Sequence, residues 1–148
     1  MAVLRRHRLL ELFLAEVLDV PWERVHDEAE VLEHALSEDL TDLISAKLGD
    51  PGFDPHGDPI PDRDLEIVET ETAALADLAP GDSARFVRVS DSNPEMLAYL
   101  SRCGIAVGDQ LELIERQPFD GPITVRIDTA THVLGLTLAQ AMRVNQTA

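Results

Sequence analysis

The chain changes its hydrophobic pattern once, and a proline-rich stretch marks the change. Residues 50–72 hold four of the nine prolines, Pro51, Pro55, Pro59 and Pro61. A proline lacks the N–H that helix and sheet interiors use, and it pushes the residue before it toward extended backbone. No continuous helix or central strand can run through such a stretch. Upstream of it, apolar residues recur at helical spacing; downstream, from about Ala74, they alternate as in strands. The fold class expected is therefore α+β in two parts. A helical domain occupies residues 1–49, a linker 50–72, and a small β domain 73–148.

In the first part, residues 4–18 read as an amphipathic helix with Leu10, Phe13, Leu14, Val17 and Leu18 on its apolar face. Asp19 is placed to cap a second helix, with Pro21 in its first turn, reaching about residue 36. Ser37 caps a third, over residues 38–48, which Gly49 ends. Roughly 45 residues of helix cannot bury enough apolar surface alone. The simplest partner is a second copy. A homodimer is expected, with Phe13, Leu14, Leu40 and Leu43 against the partner. In the second part, short strands are expected at 85–90, 109–115, 123–127, 132–136 and 143–145. A helix over 94–102, capped by Ser92 or Asn93, and one helical turn at 137–142 complete a small SH3-like barrel.

The formal net charge is −16. Such a chain repels phosphate backbones, so it should not bind nucleic acid unaided. Cys103 is the only cysteine, which excludes an intrachain disulfide and cysteine-rich zinc chemistry. There is no secretory apolar region and no run approaching the ~20 apolar residues of a membrane span. A cytoplasmic location without membrane contact is expected.

Against this acidic background, one arc of titratable residues stands out. On a helix, His26, Glu30, Glu33 and His34 fall at roughly 0°, 40°, −20° and 80°, an arc of about 100°. His7 and Glu11 form a second i, i+4 pair on the preceding helix. Imidazole and carboxylate donors together suit a divalent transition metal of intermediate hardness. An isolated His/Glu pair is more often a solvated face; four such residues on one arc are harder to read that way. The other singular residues have plainer readings. Trp22 reads as a core or dimer anchor, His56 as a turn residue, His132 as structural and Cys103 as a small buried apolar group. No H-E-x-x-H or G-x-S-x-G motif is present, and no enzyme is expected.

Three segments carry a family resemblance: R-R-H-R-L-L-E-L-F-L at 5–14, W-E-R-V-H-D-E-A-E-V-L-E-H-A-L-S at 22–37 and D-P-H-G-D-P-I-P at 54–61. The chain resembles the diphtheria toxin repressor and manganese transport regulator family of metal-activated bacterial repressors. Residues 75–144 resemble that family's C-terminal SH3-like, or FeoA-like, domain through L-x-x-L-x-P-G-D at 75–82, Y-L-x-x-x-G-I-x-x-G at 99–108 and E-R-Q-P-F-D-G-P at 115–122. The resemblance implies a metal-sensing and dimerising unit that takes Mn(II) or Fe(II). It implies an ancillary metal position at His7, Glu11 and His26, and a regulatory one at Glu30, Glu33 and His34. In some members the SH3-like domain adds ligands to the ancillary position. Asn93 and Met96 align there, and Glu95 or Asp91 could stand in for them. Family members usually begin with a winged helix-turn-helix, and this sequence starts at the helix that would follow it. The expectation is a truncated member that reaches DNA only through that missing domain. The alternative is that the FeoA-like part is an interaction module, as in iron-transport accessory proteins.

Overall fold

A computed structural model describes residues 1–147. Three helices open the chain: α1 (Ala2–Val17), α2 (Val25–Leu32) and α3 (Glu38–Lys47). They belong to a first compact unit, Met1–Glu69 with Asp91–Ala98. α1 is its centre. Leu10 and Leu14 pack with Val25 and Ala29 of α2, while Leu9 and Leu12 pack with Ile60 and Leu48. Burial on both sides leaves Glu11 inside, 1% exposed. Arg5 of α1 pairs with Asp42 of α3 at 3.1 Å.

The helix ends follow local chemistry. Ser37, in extended backbone, accepts from the Leu40 N–H and starts α3. Gly49 closes it at φ +79°, where a side chain would be strained. The second helix departs from the sequence expectation at both ends. Asp19 takes φ +56° as the chain leaves α1, with Val20 N–H donating to the Leu14 carbonyl. An N-cap needs extended backbone, so Asp19 cannot serve as one. Residues 21–24 form a turn instead, closed by Arg24 N–H on the Pro21 carbonyl. α2 then stops at Leu32, not near residue 36. Leu14, expected at a partner's surface, is 6% exposed within its own chain.

The proline-rich stretch is also more than a linker. Phe53 bridges Pro59, and Ile60 N–H donates to the Gly52 carbonyl, closing a narrow loop. Within it, Asp54 accepts from the N–H groups of both His56 and Asp58 at 2.9 Å. Arg8 of α1 donates to the Pro59 carbonyl. Asp54 and His56 are buried, as is Ile60.

The second unit, Thr70–Ser90 with Tyr99–Ala148, is built on a six-stranded antiparallel sheet. Its strands are β1 (Ala73–Ala74), β2 (Ser83–Arg88), β3 (Gln110–Arg116), β4 (Ile123–Ile127), β5 (Ala130–Leu134) and β6 (Arg143–Thr147), in spatial order β1-β6-β2-β3-β4-β5. Alternate side chains such as Phe86, Leu111, Leu113, Ile123 and Val125 fill its core. The strand register shifts between Phe86 and Arg88 and between Leu113 and Glu115, the bulges that let a small sheet curl. α4 (Pro94–Arg102) begins where Asn93 accepts from Met96 N–H, and α5 (Leu136–Ala141) precedes β6. The architecture is α+β, helices first and then a small SH3-like sheet. Among the described residues, no helix is long and apolar enough to cross a membrane.

If residues 50–61 pack as described, Ile60→Ala should destabilise the helical unit by about 2–5 kcal/mol, the cost of truncating a buried isoleucine. Urea unfolding followed at Trp22 measures this. A change within about 0.5 kcal/mol would mark a solvated linker.

Candidate metal centre

Two histidines from different helices face each other. His7 sits one turn before the buried Glu11 on α1, and His26 lies at the start of α2. Their inward nitrogens, His7 Nε2 and His26 Nδ1, are 3.1 Å apart. Glu11 Oε1 stands 3.3 Å from His7 Nε2, and Asp91 Oδ2 stands 2.8 Å from His26 Nδ1. His7, Glu11, His26 and Asp91 each offer one ligand atom, all within 4.8 Å of one another.

Protons alone satisfy this arrangement poorly. Each inward nitrogen carries either a hydrogen or a lone pair. With both carboxylates ionised, protonating both rings sets N–H against N–H. Protonating only one leaves a nitrogen lone pair against a carboxylate oxygen. A central cation would accept all four lone pairs at once. The separations fit one too: at bond lengths of about 2.1–2.2 Å, neighbouring donors of a six-coordinate ion stand about 3.0–3.1 Å apart. The donors are two nitrogens and two oxygens with no sulfur, a set suited to Mn(II) or Fe(II).

The surroundings fix the donors. His7 Nδ1 donates to Glu33 Oε2 at 2.6 Å, which orients the ring and aims Nε2 inward. Arg6 donates to the Glu33 carbonyl at 3.0 Å and holds that corner. Hydrogen bonding to Glu11 leads the causes that raise His7 to a pKa of about 9, with the Glu11 and Glu33 charges adding and burial opposing. The metal-free cluster therefore holds a proton on His7 at neutral pH.

The sequence-derived residues divide accordingly. The structure brings His7, Glu11 and His26 together, and it adds Asp91. That residue was only one of several stand-ins on sequence grounds, because a loop far along the chain leaves no local pattern. Asn93 caps α4 instead, and Met96 is half-buried there. Glu30, Glu33 and His34 do not converge among the described residues. Glu33 is drawn to His7. Glu30 is 64% exposed and reaches only His26, at 3.9 Å. His34 is 72% exposed and touches only the far oxygen of Glu33. Glu33 keeps helical backbone, its N–H donating to the Ala29 carbonyl, but its carboxylate turns to His7 and not toward Glu30 and His34. His56 lies in a turn, as expected, but it is fully buried there, stacked on Trp22 at 5.9 Å, and donates through Nε2 to the Trp22 carbonyl at 2.7 Å. A signal for this was present in D-P-H-G, where an aspartate two residues before a histidine can fold the turn inward.

Two family models match the chain: the metal binding and dimerisation domain of iron-dependent repressors over residues 1–62, and the FeoA domain over residues 73–146. The iron-dependent repressor IdeR of Mycobacterium leprae is 32% identical, over 90% of this chain and 56% of that protein. The diphtheria toxin repressor of Corynebacterium efficiens is 32% identical, over 98% of this chain and 66% of that protein. A solved manganese-dependent transcriptional repressor in complex with manganese superposes with a TM-score of 0.93 at 46% identity, over 99% of this chain and 70% of that one. The chain thus spans between about half and two thirds of the length of these curated relatives. On these matches, the chain belongs to the diphtheria toxin repressor family of metal-dependent transcriptional repressors.

Proposed function

We propose that these residues are the metal-sensing and dimerising part of a manganese- or iron-dependent transcriptional repressor. The observation that carries this reading is the convergence of His7 Nε2, Glu11 Oε1, His26 Nδ1 and Asp91 Oδ2. A divalent cation bound there would supply one fixed charge shared by α1, α2 and the segment carrying Asp91. The protein's own groups do the rest. Glu33 holds the His7 ring, the packing of α1 holds Glu11, and loss of one proton from His7 frees its lone pair. With a net charge of −16, these residues are poor partners for phosphate, so DNA contact falls to a DNA-binding domain outside them. The alternative of a FeoA-type interaction module leaves the four-donor cluster without a role. Of the two sequence-derived metal positions, the one at His7, Glu11 and His26 is the stronger; Glu30, Glu33 and His34 would need Glu33 to leave His7.

The partner is a second copy of the chain. Leu40 and Leu43 on α3 are 48% and 66% exposed, and Val31 on α2 is 74% exposed. Side chains of that size on adjacent helices favour association. Relatives with a dimerisation domain over the matching residues support the same reading. Leu43→Glu should weaken the dimer on the order of tenfold or more, read by light scattering across micromolar concentrations. A wild-type protein that runs as a monomer throughout would contradict it.

Metal should stabilise the fold. At about 100 times its dissociation constant, a ligand of the folded state adds about 2.7 kcal/mol. For a domain of this size that is a rise in Tm of about 5–10 °C. His26→Ala should abolish most of that rise with Mn(II), and Glu30→Ala little of it. The opposite pattern would transfer the site to Glu30.

The raised pKa of His7 sets the pH dependence. Its charged form contributes stability to the metal-free protein below about 6.5, and that contribution is lost as pH rises through about 9. Metal displaces the same proton, so Mn(II) affinity should climb about tenfold per pH unit and level off near pH 9. Calorimetry in buffers of different ionisation enthalpy counts the released proton. A pH-independent affinity between 7 and 9 would mean that His7 is not a ligand.

A further inference from the structure

Asp91 comes from far along the chain, on a turn that precedes α4, yet its carboxylate lies against His26. The segment Asp91–Ala98 packs in the first compact unit together with Met1–Glu69. One end of that segment reaches α2 through Asp91 Oδ2 and His26 Nδ1, 2.8 Å apart. The other end is fastened by a residue outside the cluster. Trp22 donates its indole N–H to the Leu97 carbonyl at 2.9 Å. Residues 22–26 and 91–97 therefore meet at both ends, Trp22 on Leu97 and His26 on Asp91.

The Trp22 contact is well supported. The indole N–H can only donate, and its acceptor is a backbone atom of α4 that no rotamer change can withdraw. The ring rests on the buried His56, 5.9 Å between centroids and 17° between planes. The Trp22 carbonyl accepts from His56 Nε2 at 2.7 Å, which holds the backbone of the same residue. Between Leu97 and Asp91 the chain has little slack. Asn93, two residues past Asp91, caps α4 by accepting from the Met96 N–H at 3.2 Å. Holding α4 therefore holds the turn that carries Asp91. The other donors have their own supports, His7 in Glu33 and Glu11 in the packing of α1. A carboxylate on an unsupported turn would lose backbone and side-chain freedom on reaching an ion, which weakens binding.

We propose that Trp22 is a positioning residue for the metal site: its hydrogen bond to the Leu97 carbonyl pre-orders the turn of Asp91 over His26 and keeps that carboxylate on the ion. Trp22 itself touches no ion and acts through Asp91. The inference rests on the reading of His7, Glu11, His26 and Asp91 as one metal site, and it adds a residue outside the ligand set. Removing the outer partner of a metal ligand typically costs about 10–100-fold in affinity. The loss of one hydrogen bond to a neutral acceptor belongs at the lower end of that range.

The test is a double-mutant cycle on the full chain, with Mn(II) affinity read by calorimetry for the wild type, Trp22→Phe, Asp91→Ala and the double variant. Trp22→Phe keeps a ring against His56 and removes the N–H. Each single variant should bind Mn(II) about tenfold more weakly. Adding Trp22→Phe to Asp91→Ala should cost nothing further, because the group it positions is gone. Water-proton relaxation by bound Mn(II) gives a second readout that a general loss of packing would not move. At saturation, inner-sphere water in Trp22→Phe should rise above the wild type toward the value for Asp91→Ala. If Trp22→Phe weakens binding equally with and without Asp91, or leaves the water at the wild-type value, Trp22 serves the fold alone and the proposal is overturned. An Asp91→Ala variant that binds as tightly as the wild type also overturns it, and leaves a site of His7, Glu11 and His26 standing. A wild type that binds no Mn(II) removes the site and the proposal together. Should Trp22→Phe fail to fold, benzothienylalanine in place of Trp22 keeps the bicyclic ring, lacks only the N–H and carries the same comparison.

Discussion

The burial of Glu11 is the constraint on which the first unit turns. Leu9 and Leu12 pack one side of α1, Leu10 and Leu14 the other, and the residue between them goes inside with its neighbours. A carboxylate taken out of water costs several kcal/mol unless cations or hydrogen-bond donors meet it. Here Oε1 meets His7 and Oε2 faces His56. The apolar packing that makes α1 stable thus creates the electrostatic demand that the surrounding side chains answer. A divalent ion bound at the proposed site would satisfy what the hydrophobic effect has forced indoors.

The two flanks of Glu11 are supported by different kinds of structure. On one flank the donors come from helices, and Glu33 at the end of α2 fixes the His7 ring. On the other they come from the narrow loop of residues 52–60, held shut by Asp54 and tied to α1 by Arg8. Asp54 has its pKa raised to about 8, by burial first and then by the charges of Asp58 and Glu11. Asp54 therefore keeps its proton at neutral pH in the metal-free protein, which limits the negative charge gathered around Glu11.

Much of this was legible in the sequence where the determinants are local. Ser37 and Gly49 bracket α3 because a hydroxyl at an extended position and a residue at positive φ are what helix ends require. Residues 123–127 alternate because one face of β4 is buried. His7, Glu11 and His26 were visible through spacing and family resemblance. The illegible parts depended on choices between competing local structures or on distant contacts. Asp19 could cap a helix or adopt left-handed backbone, and the exit from α1 selected the second. Leu14 matched a partner-facing pattern as well as a core one, and Val25 with Ala29 claimed it. Prolines at 51, 55, 59 and 61 looked like a solvated linker, because composition does not reveal that Ile60 has a pocket beside Leu9 and Leu12. Asp91 lies 65 positions from His26 and reaches it through tertiary folding alone.

X-ray diffraction from crystals grown with Mn(II), with data collected on both sides of the manganese edge, tests the central claim most directly. The account predicts an anomalous peak about 2.1–2.2 Å from His7 Nε2, Glu11 Oε1, His26 Nδ1 and Asp91. A peak confined to Glu30, Glu33 and His34, with His7 and His26 still facing each other unbridged, would contradict it.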